Sequence, residues 1–428
     1  MFLSIFLIHI LQILLVKSRL PEDFEFSDAN VDDSHKWAVL VAGSKGFYNY
    51  RHQADICHAY HVLRSKGIKP EHIITFMYDD IAHNADNPFK GKIFNDYHHK
   101  DYYKGVVIDY RRGKVNPKTF LQVLKGDKRA GKKVLNTGKN DDVFIYFADH
   151  GSPGSVEFPN DELTAKQLIN TLKYMYQHKR YRKLVFYIEA CESGSMFSKI
   201  LPSNMNIYAT TAANPKESSW ATFCDDPKIA TCLADLYSYD WIVDSEKHEL
   251  TERSLDDQFK EVKRETTTSH VQRYGDLKMG KLKLSEFQGS KKKVSTDNNT
   301  TLMKPRDSIP SRDVPLHTLR RQIMMTNDAK EKKLLMEILS LKIKRSSIIQ
   351  DTMDLIVEVI KTSKAVVSNP SIDDILDCAE SVYDTFKRNC FTRQQAPEVS
   401  GHLSTLYNYC ENGYTPDVIN RAITKICN

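Results

Sequence analysis

The chain has eight cysteines but no Cys-x-x-Cys pair, so neither a zinc ribbon nor a dithiol redox motif is expected. After residue 16 no apolar run is long enough to cross a bilayer, which excludes a polytopic membrane protein. A net charge of +6 over 428 residues is modest, and no basic stripe interleaves with aromatics. Nucleic acid is therefore not an expected partner. The short glycine turn Gly43-Ser44-Lys45-Gly46 lacks the third glycine of a dinucleotide fingerprint and any phosphate-loop Lys-Ser/Thr pair. No cofactor and no resident metal are expected. Internal repeats are absent as well.

What is present begins with an apolar run from Phe2 to Val16. Its length suits the hydrophobic region of a signal peptide, read here as residues 1–17, although the usual basic start is missing. The acidic stretch 18–33 reads as a short amino-terminal propeptide. Export, or delivery to an acidic vesicle, follows from that reading, with no membrane attachment once the leader is removed. The cysteines divide evenly. Cys57, Cys191, Cys224 and Cys232 precede residue 240, and Cys378, Cys390, Cys410 and Cys427 crowd the end. In an oxidising compartment the last four form a two-disulfide framework with three possible pairings. Cys224 and Cys232 could pair or stay free, and Cys57 belongs to the core.

From Lys36 onward, strands alternate with helices. Strands are expected at 37–42, 73–78, 143–148, 183–189 and 205–210, and helices at 54–66 and from Thr164, whose Gln167 completes a capping box. This rhythm implies a mostly parallel sheet flanked by helices, over residues 34–288. Between about Gly289 and Pro315 the pattern dissolves into lysines, asparagines and prolines, and 289–327 reads as an exposed linker. There Asn298 and Asn299 each open an Asn-x-Ser/Thr sequon, so glycosylation is expected. Residues 328–428 read as a separate all-α domain.

Two buried strands end in reactive groups. The run 143–147 leads to Ala148-Asp149-His150-Gly151, and 183–188 leads to Glu189-Ala190-Cys191-Glu192-Ser193-Gly194. Active sites of open α/β sheets form beyond the carboxyl ends of the strands, where His150 and Cys191 would meet as base and nucleophile. Gly151 frees a backbone N–H that, with that of Cys191, could stabilise an oxyanion. Each residue alone is more economically a capped strand end or a buried cysteine; together they point to a cysteine-dependent hydrolase.

These motifs, with Asn49-Tyr50-Arg51-His52-Gln53-Ala54-Asp55 and Ala209-Thr210-Thr211-Ala212-Ala213-Asn214-Pro215, closely resemble the legumains, the asparaginyl endopeptidases of the caspase-like clan, and among them the haemoglobinase-type members. The resemblance runs from about Lys36 to the end. It implies a caspase-like peptidase domain followed by a disulfide-linked helical prodomain. It also implies Cys191 as nucleophile, His150 as its partner, Asn49 as the group orienting the histidine, and Asp149 as a succinimide-forming residue linked to ligase behaviour. The specificity pocket it implies comprises Arg51, His52, Glu189, Ser218, Ser219 and Asp235. Such a pocket fits an asparagine carboxamide, which needs a donor and an acceptor side by side, and protonated aspartic acid would imitate it at low pH.

The same resemblance implies a zymogen inhibited by its own carboxyl-terminal prodomain and cut after Asn327. It further implies protein substrates with exposed asparagine, haemoglobin among them, and cystatin-type inhibitors. Two other readings compete: a peptide ligase using the same site, and a non-catalytic binding module with a disulfide tail.

Overall fold

The computed structural model describes residues 33–292, 307–363, 369–392, 396 and 398–428. The expected leader, nearly all of the expected propeptide and both sequons, Asn298 and Asn299, lie outside the described residues. Among the described residues no helix is long and apolar enough to cross a membrane.

The strands in chain order are β1 (Lys36–Ala42), β2 (Ile73–Phe76), β3 (Asp142–Ala148), β4 (Gly151–Ser152), β5 (Ser155–Phe158), β6 (Asp161–Thr164), β7 (Lys183–Glu189), β8 (Ile207–Thr211), β9 (Trp220–Thr222), β10 (Ala234–Asp235), β11 (Gln272–Gly275) and β12 (Ser308–Pro310). Six of them form the central sheet in the order β11-β8-β7-β3-β1-β2. All its pairings are parallel except that of β11 with β8. β3 and β7 are immediate neighbours with Ala148 opposite Glu189, so the two reactive strand ends lie side by side.

Both faces of this sheet are buried, which explains the unbroken apolar runs. Ala38, Leu40, Phe144 and Tyr146 point into one core, whereas Val39, Val41, Val143 and Ile145 point into the other. Helices α1 (Tyr50–Ser65), α2 (Pro117–Leu124), α3 (Ala165–Gln177), α4 (Leu236–Lys247) and α5 (Leu255–Glu265) flank it. Residues of α1, α4 and α5 enter the first core, and residues of α2 and α3 the second. α3 begins at the capping box expected from Thr164 and Gln167. α1 starts four residues earlier than its apolar periodicity indicates. Its first turn, Tyr50-Arg51-His52-Gln53, is polar yet buried, because it lines the site.

The carboxyl-terminal region comprises α6 (Val314–Met325), α7 (Ala329–Lys361), α8 (Ile372–Asn389), α9 (Val399–Glu411) and α10 (Pro416–Cys427). It has a core of its own, built on Ile349, Met353, Val382, Phe386, Leu403, Leu406 and Ile423. Two disulfides brace it, Cys378–Cys410 and Cys390–Cys427, which selects one of the three pairings. Cys224 and Cys232 are also bonded to each other, and Cys57 and Cys191 are free.

The expected linker differs from its sequence reading. Residues 308–310 add a strand to β9, Ser311 is buried and α6 begins at Val314. A three-residue strand ending in proline shows no periodicity, so its pairing was not legible along the chain.

Candidate active site

Beyond the carboxyl end of β7, the chain turns through Ala190 and Cys191 into Glu192, whose φ of 48° is left-handed. That conformation is uncommon for a side chain larger than asparagine and tends to mark functional turns. Cys191 is buried, and its Sγ contacts Ser218 Oγ at 3.2 Å and Ser219 Oγ at 3.7 Å. The serine pair that read as ordinary loop thus sits on the thiol. Burial pushes the Cys191 pKa up, while the Arg312 guanidinium draws it down and Glu192 opposes that pull.

Beyond β3, Asp149 and His150 lead into Gly151. A Cβ on Gly151 would lie 2.2 Å from the Cys191 carbonyl oxygen. Only glycine permits this approach, and it sets side by side the two peptide units expected to bind an oxyanion. His150 Nε2 lies 2.8 Å from Asn49 Oδ1. That oxygen can only accept, so the proton sits on Nε2 and Nδ1 is left as the basic nitrogen. Asn49 caps α1, and its own amide donates to the Lys45 carbonyl at 3.0 Å, which fixes its flip.

The remaining residues of the expected pocket converge behind the thiol. Arg51 and His52 come from the first turn of α1, Glu189 from the end of β7 and Asp235 from β10. Arg51 is fully buried; its Nε donates to Asp235 Oδ1 at 2.7 Å and its Nη1 to the Tyr48 carbonyl at 3.3 Å. Glu189 Oε2 accepts from the Ser238 backbone N–H at 2.9 Å and from its hydroxyl at 3.0 Å. Three buried polar atoms make no hydrogen bond: Arg51 Nη2, Glu189 Oε1 and Asp235 Oδ2. Buried polar groups are nearly always paired, and each left alone costs about 1–3 kcal/mol. One donor and two acceptors held unpaired in one place are what a primary carboxamide would satisfy.

Burial raises the pKa of Glu189, with the Asp235 charge adding to it, and burial likewise raises Asp55 and Asp235. Asp55 stands behind the pocket, accepting from Asn95 at 2.8 Å and from the Asp235 N–H at 3.2 Å. His52 is held with its pKa well below the usual value, first by burial and then by Arg51, so the ring is neutral. Its Nδ1 meets Ser44 Oγ at 2.6 Å. Asp149 is buried with both carboxylate oxygens lacking hydrogen bonds, and burial together with the Glu157 charge raises its pKa well above the usual range.

Among the described residues, His52, Asp149 and His150 could also offer ligand atoms within 4.8 Å of one another to a metal ion. Each ring, however, already spends one nitrogen on the protein, on Ser44 and Asn49 respectively.

Sequence reasoning missed the residues that arrive from beyond the linker. Ser311 Oγ lies 3.2 Å from Ser219 Oγ and its N–H donates to the Ser219 carbonyl at 3.0 Å. Arg312 forms an ion pair with the buried Glu192, next to the thiol. Asn327, by contrast, is not at the site. It is exposed in the break between α6 and α7, where Asp328 caps the following helix.

The Peptidase C13 family matches residues 36–290, the whole sheet and every element that carries the site. The chain belongs to the Peptidase C13 family. Similar over the full length of both chains are a hemoglobinase of Schistosoma japonicum, 69% identical, and one of Schistosoma mansoni, 68% identical. A legumain of Homo sapiens is 43% identical over 92% of this chain and 94% of its own. A solved structure of caspase-1 from Spodoptera frugiperda, at a TM-score of 0.36 and 10% identity over 56% of this chain and 86% of its own, is too slight a likeness to argue from. As a C13 peptidase the chain is a cysteine-type endopeptidase, a hydrolase acting on protein substrates.

Proposed function

We propose that this C13 peptidase cleaves proteins after asparagine, and after aspartic acid only in acid, and that it is made as a zymogen opened by low pH. The observation that carries the specificity is the unpaired trio Arg51 Nη2, Glu189 Oε1 and Asp235 Oδ2. An asparagine side chain would accept from the first and donate to the acceptors. An aspartate would set a second negative charge against Glu189 and Asp235 unless protonated. A site built to pair both ends of an amide rejects apolar side chains steeply, because they leave its buried groups unpaired.

In this reading the Cys191 thiolate attacks the carbonyl carbon after asparagine, with the oxyanion held by the N–H groups of Gly151 and Cys191. The C–N bond breaks as His150 passes a proton to the leaving amine, and the same histidine then takes a proton from the water that hydrolyses the thioester. Asn49 keeps the basic nitrogen available throughout. An amine in place of water would give transpeptidation. Asp149 favours that second reading: a buried, protonated carboxyl can be attacked by the His150 backbone nitrogen, losing one water to form a succinimide.

Latency is supported by what covers the site. Arg312 pairs with Glu192 beside the thiol, Lys216 with Glu411 at 2.9 Å, and Lys166 with Asp377. Ser400 donates to Glu157 at 2.7 Å and the Tyr383 hydroxyl to the Pro153 carbonyl at 3.1 Å. Several of these contacts depend on ionised carboxylates, so acid weakens them. Cleavage after the exposed Asn327 would then release the helical region. An exported or vesicular location, protein substrates such as haemoglobin and cystatin-type inhibitors belong to the same proposal.

The test is acid treatment of purified protein, followed by mass spectrometry of the products and of a cleaved peptide library between pH 4 and 7. Wild type should shorten at Asn327 and cut the library after asparagine. A Cys191→Ala variant should do neither. Unaided shortening of that variant in a protease-free preparation would refute self-activation.

A further inference from the structure

The long helix α7 packs with one stripe and leaves another bare. Ile349, Met353, Ile356 and Ile360 enter the core of the helical region, and Arg345 is tied to Glu398 at 2.8 Å. Along a different stripe stand Leu334, Leu341, Ile348 and Leu355, exposed by 57%, 67%, 47% and 49% respectively. These four residues are spaced by seven throughout, and about 32 Å of helix separates the first from the last. A strict seven-residue apolar row is the pattern of a coiled-coil seam, whereas a helix solvated on that side has no reason to keep it.

Charge selects the occupant. Three residues after each seam position, on its solvent side, stand exposed charged residues. Together with Lys330 they form the row Lys330, Glu337, Lys344, Asp351, alternating in sign at every step. In an antiparallel pair, residues of this flanking row face one another. With Leu341 on the twofold axis, Leu334 meets the partner's Ile348, Glu337 meets the partner's Lys344, and Lys330 meets the partner's Asp351. Every flanking pair is then of opposite sign. In a parallel pair the row would instead face the Leu335, Lys342 and Ile349 row, which this chain turns toward its own helical region or half-buries. Self-complementarity of one surface is what a twofold dimer requires.

We propose that α7 is a dimerisation helix, and that two copies of the full-length chain associate antiparallel through Leu334, Leu341 and Ile348. The seam is narrow, since Ile338 alone adds a second apolar row, so a roughly micromolar dissociation constant is expected. In this register Leu355 lies against the partner's Asn327. The proposal does not rest on the proteolytic reading; if that reading also holds, the dimer shields the scissile turn.

The experiment is sedimentation velocity on full-length Cys191→Ala protein at neutral pH, from about 1 to 100 μM, the range bracketing that constant. The expected result is a concentration-dependent dimer that Leu341→Glu weakens at least about tenfold, with unchanged circular dichroism because Leu341 is exposed. Glu337→Lys and Lys344→Glu should each weaken it, and the double variant should restore it. A Leu341→Cys variant should cross-link to itself on oxidation, and a Leu334→Cys variant should not. A monomer throughout, a dimer indifferent to Leu341→Glu, failure of the charge swap to restore association, or equal cross-linking through Leu334→Cys would each overturn the proposal.

Discussion

Replacing Glu189 by glutamine should reverse the preference between asparagine and aspartate, and the geometry says why. Glu189 accepts two hydrogen bonds from Ser238 through Oε2, one of them from a backbone N–H that cannot turn away. In Glu189→Gln the amide oxygen must take that position, because an NH2 there would face an N–H donor. The pocket-facing atom then becomes Nε2, a donor, beside the donor Arg51 Nη2. An asparagine side chain loses its acceptor and meets a donor where its own NH2 should sit. One lost hydrogen bond to a charged group, with its partner left buried, costs about 2–4 kcal/mol, or roughly 30- to 1000-fold in kcat/KM. An aspartate gains a second donor and one less repelling charge, so its cleavage should rise at neutral pH. The assay is kcat/KM on two peptides differing only in Asn or Asp at the cleaved position, from pH 4 to 7, with a melting curve to verify folding. Wild-type efficiency on asparagine with an unchanged Asn-to-Asp ratio would sink the pocket reading.

Further expectations concern the cap and the buried acids. Arg312→Ala leaves Glu192 buried without its cation, so the cover should loosen by about 1–3 kcal/mol and activation should proceed roughly tenfold faster or more near neutral pH. Densitometry over time checks this, and an unchanged rate would remove Arg312 from the latch. Asp149, Asp55 and Glu189 have folded pKa values raised by burial. Their contribution to stability is complete below the unfolded carboxyl range near pH 4 and is lost as pH rises toward the folded values. Melting temperature should therefore fall from pH 4 toward neutrality, and Asp149→Asn, which copies the protonated state, should flatten that slope. Breaking Cys390–Cys427 with Cys390→Ser should cost the helical region about 2–5 kcal/mol, read as earlier protease sensitivity confined to residues after 328.

Much of the site was legible before any coordinates. Buried parallel strands must be apolar on both faces, so β3 and β7 announced themselves, and the reactive residues at their ends followed from where such sheets place their sites. The capping box of α3 and the crowded terminal cysteines were equally local signals. The first turn of α1 was not, because side chains that bind a ligand break the apolar period that reveals a helix.

The sequence by itself therefore determined the elements and the chemistry: a mostly parallel sheet, a thiol and an imidazole at adjacent strand ends, and a helical tail with four cysteines. Tertiary structure alone decided the rest. It chose one disulfide pairing of three, bonded Cys224 to Cys232, set Ser218 and Ser219 on the thiol, and brought Ser311 and Arg312 across the linker to the site. It also left Arg51 Nη2 and Glu189 Oε1 buried without partners. The physical reason is range. Periodicity and capping are written within a few residues, whereas an ion pair spanning 120 residues, or an unpaired atom, exists only once the chain has closed on itself.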